Sequence, residues 1–379
     1  MRNDIPRICI IGAGAAGLAV AYALSLRGIN CRICDAGKAG QGALAASAGM
    51  IAPGAEVWEA RARPNALAGE FAGLARHGAS AWPGWAERIA RETGLDIGYR
   101  PCGSLIPLDD AHAPGTQILG ALDALGIEAH RLHGAAAQAH LPGLAAPDGA
   151  AFLPGDAQVS APDLARALPL ALAARGIEVN ENARVATLER RAQGWRLILA
   201  SGEVIDTDIA VLAAGWAAAK LHPAAQDVTP VKGQAVMLAG GAASGYGALL
   251  RAGEVYVAPK SGGRLLVGAS AEPGLSDLTT DPGTARTLLE RAARHLPAIA
   301  GMDVLAHWAG VRPALPGMMP RAGEAEPGLF VALGAHRHGV MLAPAIGEGL
   351  AGLIADGRSE VPLAAFAPDR VNEGLSSGG

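Results

Sequence analysis

Gly12, Gly14 and Gly17, in the run Gly12-Ala13-Gly14-Ala15-Ala16-Gly17, are spaced to hold a pyrophosphate. Gly12 permits a tight turn, Gly14 lets backbone approach the phosphates, and Gly17 lets a helix pack on a strand. A helix starting there offers free N–H groups and a partial positive charge to the anion. Asp35 can accept hydrogen bonds from a ribose. This chemistry needs fixed elements around it. The hydrophobic run Ile8-Cys9-Ile10-Ile11 leads into the glycines, and a helix-like run from Leu18 to Leu26 follows. Gly28 then opens a second strand-like run, Asn30 to Cys34, which ends at Asp35. Glycines alone would fit a ligand-free turn. Strand, glycines, helix, strand and acid in this order define a dinucleotide-binding unit.

The chain has 379 residues, enough for two or three domains. Half of the residues are hydrophobic and 17% are charged, so a large core is easily filled. The excess of Ala and Gly suits close helix–sheet packing. A net charge of −4 with no basic block argues against a nucleic-acid partner. No apolar run reaches the roughly 18 residues of a membrane span. The polar start, Met1 to Pro6, leaves no room for a signal peptide, so a cytoplasmic location is expected. Cys31 and Cys34 form a CxxC, which invites a redox or zinc reading. Strand positions three apart point to opposite faces, however, and no second pair follows. Both read better as small buried hydrophobes, as does Cys9 in the first strand; Cys102 stands alone. No metal site is expected.

After Asp35 comes a small-residue stretch, Gly37 to Pro53, and then a mixed region from Trp58 to Pro147 with helix-like runs at Leu67–His77 and Gln117–Leu125. Ser160-Ala161-Pro162-Asp163 starts a helix that runs to Ala174 and is closed by Gly176. Ile177–Leu188 and Trp195–Leu199 read as strands. Ile209 to Gly215 is a buried strand whose small-residue end admits a ligand close to backbone. From Val228 to Pro313 the texture changes to short strands, Gly233–Leu238, Glu254–Ala258, Arg264–Gly268 and Val304–Gly310, with one helix, Pro282–His295. Leu329–Gly334 is again a buried strand, Pro344–Ala355 a helix closed by Gly357, and the last six residues of the tail are expected to be disordered. The pattern is α/β, a parallel-sheet dinucleotide domain and a separate domain built on a mainly antiparallel sheet with one helix.

Several stretches share one further pattern. They are the glycine run, Asp35, Ala45-Ala46-Ser47-Ala48-Gly49-Met50, Ala213-Ala214-Gly215, Trp308-Ala309-Gly310-Val311-Arg312-Pro313 and Gly334-Ala335-His336-Arg337-His338-Gly339-Val340-Met341-Leu342-Ala343-Pro344. Together they resemble the FAD-dependent D-amino acid oxidase superfamily, over nearly the whole chain and most weakly between Arg61 and Pro154. Tyr256-Val257-Ala258-Pro259-Lys260, followed by Gly263 to Ala269, looks closest to its glycine oxidase branch, associated with thiamine biosynthesis.

The resemblance implies an α/β fold with a doubly wound, Rossmann-like FAD domain made of 1–80, 148–225 and 314–379, and an interleaved α+β substrate domain with an antiparallel sheet, made of 81–147 and 226–313. It implies hydride transfer from the α-carbon of a small amino acid, glycine, a small D-amino acid or an N-alkyl glycine, to flavin. The imine then hydrolyses, and O2 is reduced to hydrogen peroxide. A D-amino acid or secondary-amine dehydrogenase using another electron acceptor is the alternative. Arg312 resembles the family's carboxylate-binding arginine, with a structural ion pair as its other reading. Tyr256 would donate its hydroxyl to the same carboxylate, or merely pack. Arg337 could face flavin or substrate. His336 and His338 stand where the family more often has an aromatic and an Asn, which leaves their roles open.

Gly49 and Met50 would lie against the flavin, Ala46 and Ser47 near its ribityl-pyrophosphate, and Val185 at the adenine. Ala13, Ala16, Ala36, Ala214, Gly215, His336, Arg337, His338, Gly339, Val340 and Met341 complete the expected cofactor shell. A helix starting near Leu342-Ala343-Pro344 would aim its positive end at the flavin ring. Ala271, where glycine oxidases can carry a larger side chain, either widens the substrate pocket or packs under the sheet. A homo-oligomer is expected.

Overall fold

A computed structural model of the chain describes residues 6–61, 67–108, 115–240, 245–253 and 255–369, without the side chains of 60–61 and 115–118. The expected tail disorder falls outside the described residues.

The first strand, Ile8–Ile11, lies at the centre of a six-stranded sheet. In order, its strands are Arg321–Glu326, Leu329–Leu333, Ile209–Leu212, Ile8–Ile11, Arg32–Cys34 and Val179–Asn180. All pair in parallel except the Arg321–Glu326 edge, which returns as an antiparallel hairpin. Both faces of a parallel sheet must be covered. Ile8, Ile10, Ile33 and Val211 meet the helices, while Cys9, Ile11, Cys34 and Leu212 meet a three-stranded antiparallel sheet carrying Leu188, Trp195 and Leu197. Cys31 and Cys34 therefore sit in separate cores, as the strand period requires.

The helix Ala15–Leu26 packs closely on Gly339–Asp356, because a side chain at Gly347 would meet the Ala19 carbonyl at 2.6 Å. Gly339–Asp356 has the length and mean composition of a membrane span, but Glu348 and Asp356 interrupt its apolar run and 67% of it is buried inside the fold. It starts at Gly339, ahead of the expected Pro344. A proline inside a helix removes one backbone donor. The indole Nε1 of Trp82 donates to Val340 O at 3.1 Å, the carbonyl one turn before Pro344.

The second sheet has nine strands and is almost wholly antiparallel. Its face bearing Val236, Val257 and Val267 is covered by Leu288 and Ala292 of the helix Pro282–His295. The opposite face, with Ala235, Ala258 and Leu266, turns toward the core of the first sheet.

Three further elements lie differently from the expected layout. The helix Ala68–Thr93 runs through the domain boundary expected at residue 80 and packs on Gly339–Asp356 and Ala161–Ala174. Ala150–Leu153, expected in the FAD domain, pairs with Ser104–Pro107 inside the second sheet. The single strand expected over Ile177–Leu188 is two, Val179–Asn180 and Val185–Arg190, in different sheets. Asn182, at φ 54, turns the chain between them, where its N–H donates to Gly37 O and that of Ala183 to Asp35 O.

Candidate active site

The glycine run closes as its spacing requires. Gly12 has φ 107, and a side chain there would meet Ala213 O at 2.4 Å. One at Gly17 would meet Gly12 O at 1.9 Å. At Gly14, by contrast, an added carbon would meet nothing within 4 Å, so space is open where phosphates would approach. Gly14 caps Ala15–Leu26 without any side-chain bond, leaving the first-turn N–H groups to a ligand. Asp35 accepts from Ala13 N at 2.6 Å and Gly37 N at 2.7 Å, which fixes its carboxylate beside the turn. The residues present therefore fit a dinucleotide. Ala213 and Ala214 lie against Gly12, Ala16 is in the first turn of the helix, Val185 is buried beneath the sheet, and Ala36 is exposed.

The strap after Ala43–Ala46 is held from several sides. Trp308 Nε1 donates to Ala46 O at 3.0 Å, and Ser47 Oγ accepts from Gly49 N at 3.3 Å. Gly49 has φ 69, and a side chain there would strike Val159 O at 2.2 Å. Lys260 Nζ donates to Ala48 O at 2.6 Å, Gln158 Oε1 at 2.7 Å and Val159 O at 3.4 Å. Burial pushes this amine down to about 7.

Antiparallel register builds the facing wall. Arg251 pairs with Tyr256, Tyr256 with Gly268, Gly268 with Ala235, and Ala235 with Trp308, one row across the sheet. The row shares one face, which here looks toward the nucleotide sheet. Arg312 follows Trp308 by two full strand periods and so points the same way.

Glycines make room for the polar side chains. A carbon added to Gly268 would lie 2.4 Å from the Tyr256 hydroxyl, and one at Gly233 would lie 2.3 Å from two Arg312 nitrogens. Arg312 Nη1 donates to Ser270 O at 3.0 Å. Tyr256 and Arg312 thus converge on the segment Gly268 to Ser270. Burial lowers the Arg312 pKa, partly offset by Tyr256, and burial raises that of Tyr256, so its hydroxyl stays a donor. Among the described residues no carboxylate forms an ion pair with Arg312.

Arg337 keeps different company. Its Nε donates to Glu56 Oε2 at 2.7 Å and its Nη2 lies 2.5 Å from Glu59 Oε2. Arg251 Nη1 donates to Glu56 Oε1 at 2.8 Å, and Arg251 also pairs with Glu59. His338 Nε2 lies 2.9 Å from Glu56 Oε2, and Met50 Sδ 3.7 Å from Arg251 Nη1. Burial alone would raise the Glu56 pKa, but Arg251, Arg337 and His338 together hold it well below the usual carboxylate range. His336 is at φ 46, and its N–H donates to Pro313 O at 2.9 Å beside Arg312. Burial, with the nearby His338, Arg312 and Arg337, pushes His336 down to about 3, so its ring is neutral. Gly339, Val340 and Met341 form the first turn of the last helix, directly after His338.

Ala271 is exposed and does not pack under the sheet. Glu56, Glu59, Arg251, Lys260, Gly233 and Gly268 were not singled out from the sequence. The signal for the glycines was present, since Gly233 interrupts one strand and Gly268 ends another. The acids sit on the helix Pro53–Arg61, which Asp156 caps by accepting from Gly54 N at 2.9 Å. Among the described residues no group of His, Cys, Asp or Glu is arranged to hold a metal.

A dinucleotide gripped by one sheet and facing the polar face of another is the plan of a flavin-dependent oxidoreductase. The chain belongs to the FAD dependent oxidoreductase (DAO) family, whose model matches residues 7–353. It is 33% identical to the glycine oxidase of Geobacillus kaustophilus over 96% of each chain. The crystal structure of glycine oxidase from that organism matches with a TM-score of 0.87 at 32% identity, covering 96% of this chain and 98% of that one. The iminodiacetate oxidase of Chelativorans sp. BNC1 matches with a TM-score of 0.82 at 26% identity, covering 96% of this chain and 99% of that one. The protein is thus an FAD-dependent amino acid oxidoreductase resembling glycine oxidase.

Proposed function

We propose that the protein oxidises glycine or another small amino acid, such as a small D-amino acid or an N-alkyl glycine, with O2 as final acceptor. One observation carries this reading. Arg312 is a desolvated guanidinium with a backbone carbonyl as its hydrogen-bond partner and, among the described residues, no acidic neighbour in contact. A buried cation without a counter-charge is costly, and a substrate carboxylate would supply that charge. The planar fork of Arg312 takes the carboxylate on two nitrogens, and the Tyr256 hydroxyl donates to it as well. Together they fix the substrate by one end and present its α-carbon for reaction.

Bound FAD supplies the two-electron acceptor. In this reading Gly12, Ala13, Gly14, Ala16, Gly17, Asp35 and Ala36 hold its diphosphate and ribose. Ala46, Ser47, Gly49, Met50, Ala214, Gly215 and the turn Gly339-Val340-Met341 line the rest, with Val185 at the adenine. His336, neutral, half-buried and near Arg312, shapes the pocket without adding charge. The amine becomes an imine, water converts the imine to an oxo acid and ammonia or a primary amine, and O2 becomes hydrogen peroxide. The likeness to glycine oxidase over 96% of the chain supports this choice of substrate.

Anaerobic flavin absorbance tests it. Glycine, sarcosine or D-alanine should bleach the holoprotein, and air should restore the yellow colour with one peroxide per turnover. No bleaching by any of the three would overturn the reading, and bleaching that persists in air would move it to the dehydrogenase alternative.

A further inference from the structure

Glu56, Arg251, Glu59 and Arg337 form a closed ring in which each carboxylate touches both guanidiniums. Its formal charges cancel. The ring belongs to the wall of the site, since Arg251 stands opposite Tyr256 in the sheet register. Arg337 adjoins His336, whose backbone is bonded to Pro313 beside Arg312. Arg337 lies near enough to Arg312 to disfavour charge on it, second to the burial that lowers the Arg312 pKa. An unpaired arginine at that place would offer a second carboxylate a site next to the first.

We propose that Glu59, acting with Glu56, is a specificity-determining residue: by occupying Arg337 it confines the site to amines that carry one carboxylate and excludes those that carry two. This rests on the small-amino-acid reading above. A second carboxylate reaching Arg337 must displace Glu59 or lie against it, and like charges brought together are strongly unfavourable. Exclusion by a placed repulsion is a general route to specificity, because it penalises the wrong ligand without touching the right one. Glu59 is the more accessible arm. Its side chain is 20% exposed against 6% for Glu56, and Arg337 is 26% exposed. Glu56 in addition holds His338, so it is the more structural of the two acids.

Sarcosine and iminodiacetate make a matched pair, because iminodiacetate is sarcosine with one N-methyl hydrogen replaced by a carboxylate. The experiment compares their kcat/KM for anaerobic flavin reduction in the wild-type holoprotein and in Glu59→Gln. The expected result is strong preference for sarcosine in the wild type. In the variant the iminodiacetate-to-sarcosine ratio should rise by about tenfold or more, through a gain on iminodiacetate. An unchanged ratio, or equal losses on both substrates, would overturn the proposal, because a purely structural ring lowers both alike.

If Glu59→Gln does not fold, the wild type still decides. Acetate and malonate, titrated against the flavin spectrum at fixed ionic strength, should bind with malonate about tenfold or more the weaker. Equal affinity would overturn the proposal. Failure of sarcosine and glycine to reduce the flavin at all would count against the oxidase reading, and the acetate-to-malonate comparison would still test the ring.

Discussion

Two arginines, Arg312 and Arg337, stand in one polar site and have opposite surroundings. Arg337 has a carboxylate on two of its nitrogens, from Glu56 and Glu59. Arg312 has a backbone carbonyl and lies across a glycine. The residue type is the same, so the difference in role comes from neighbours. A paired guanidinium in a neutral ring is a support, while an unpaired one beside Tyr256 is the one proposed to bind substrate. Reading function from arginines therefore requires knowing which of them already have an anion.

The ring can be broken most directly at Glu56. Glu56→Gln leaves Arg251, Arg337 and His338 facing a neutral amide in a buried place, and breaking a buried pair typically costs about 3–5 kcal/mol. Urea unfolding should show that loss near pH 7. The sign with pH is fixed by linkage. The Glu56 pKa is depressed below its ordinary value of 4.5, so its contribution is complete above that pH and disappears as pH falls through the folded value. The gap between wild type and variant should narrow in acid. A gap of constant size would mean that the carboxylate charge is not what stabilises the ring.

The binding arginine can be moved without altering it. Gly233→Ala places a methyl group within 2.3 Å of the present Arg312 nitrogens, so the guanidinium must shift. Substrate KM should rise by about tenfold while the unfolding midpoint changes little, since the ring is untouched. A smaller effect is expected for Tyr256→Phe. Losing one hydrogen bond to a charged carboxylate is worth roughly 1.5–3 kcal/mol at most, less where water can substitute, so a rise in KM of about fivefold is expected, with the flavin spectrum intact. A rise larger than that for Gly233→Ala would mean that Tyr256 is the principal anchor.

Much of this site was legible in the sequence because its signals are local. The glycine run, Asp35 and the helix Pro282–His295 are each written in consecutive residues and appear where expected. Arg312 and Tyr256 could be named from their flanking motifs, and the sheet register then brought them to one face. The ring could not be read that way. Glu56 and Glu59 lie on a short helix that no local motif marks, and their partners are remote in the chain, at Arg251 and Arg337. Their meaning arises only when the Arg251–Tyr256 pairing places a guanidinium over that helix. The start of the last helix was misplaced for a related reason. Pro344 looks like a first-turn residue, but Trp82, from a distant helix, donates to the Val340 carbonyl there and lets the helix begin at Gly339.

In the proposed function, Arg312 alone supplies the charge that binds the carboxylate. The most direct measurement titrates glycolate, an unreactive carboxylate, against the flavin absorbance of the wild type and of Arg312→Ala. Saturable perturbation should occur in the wild type and weaken by at least about tenfold in the variant, with the resting flavin spectrum unchanged in both. Equal glycolate affinity in the two proteins would contradict the account and place the carboxylate at the ring instead.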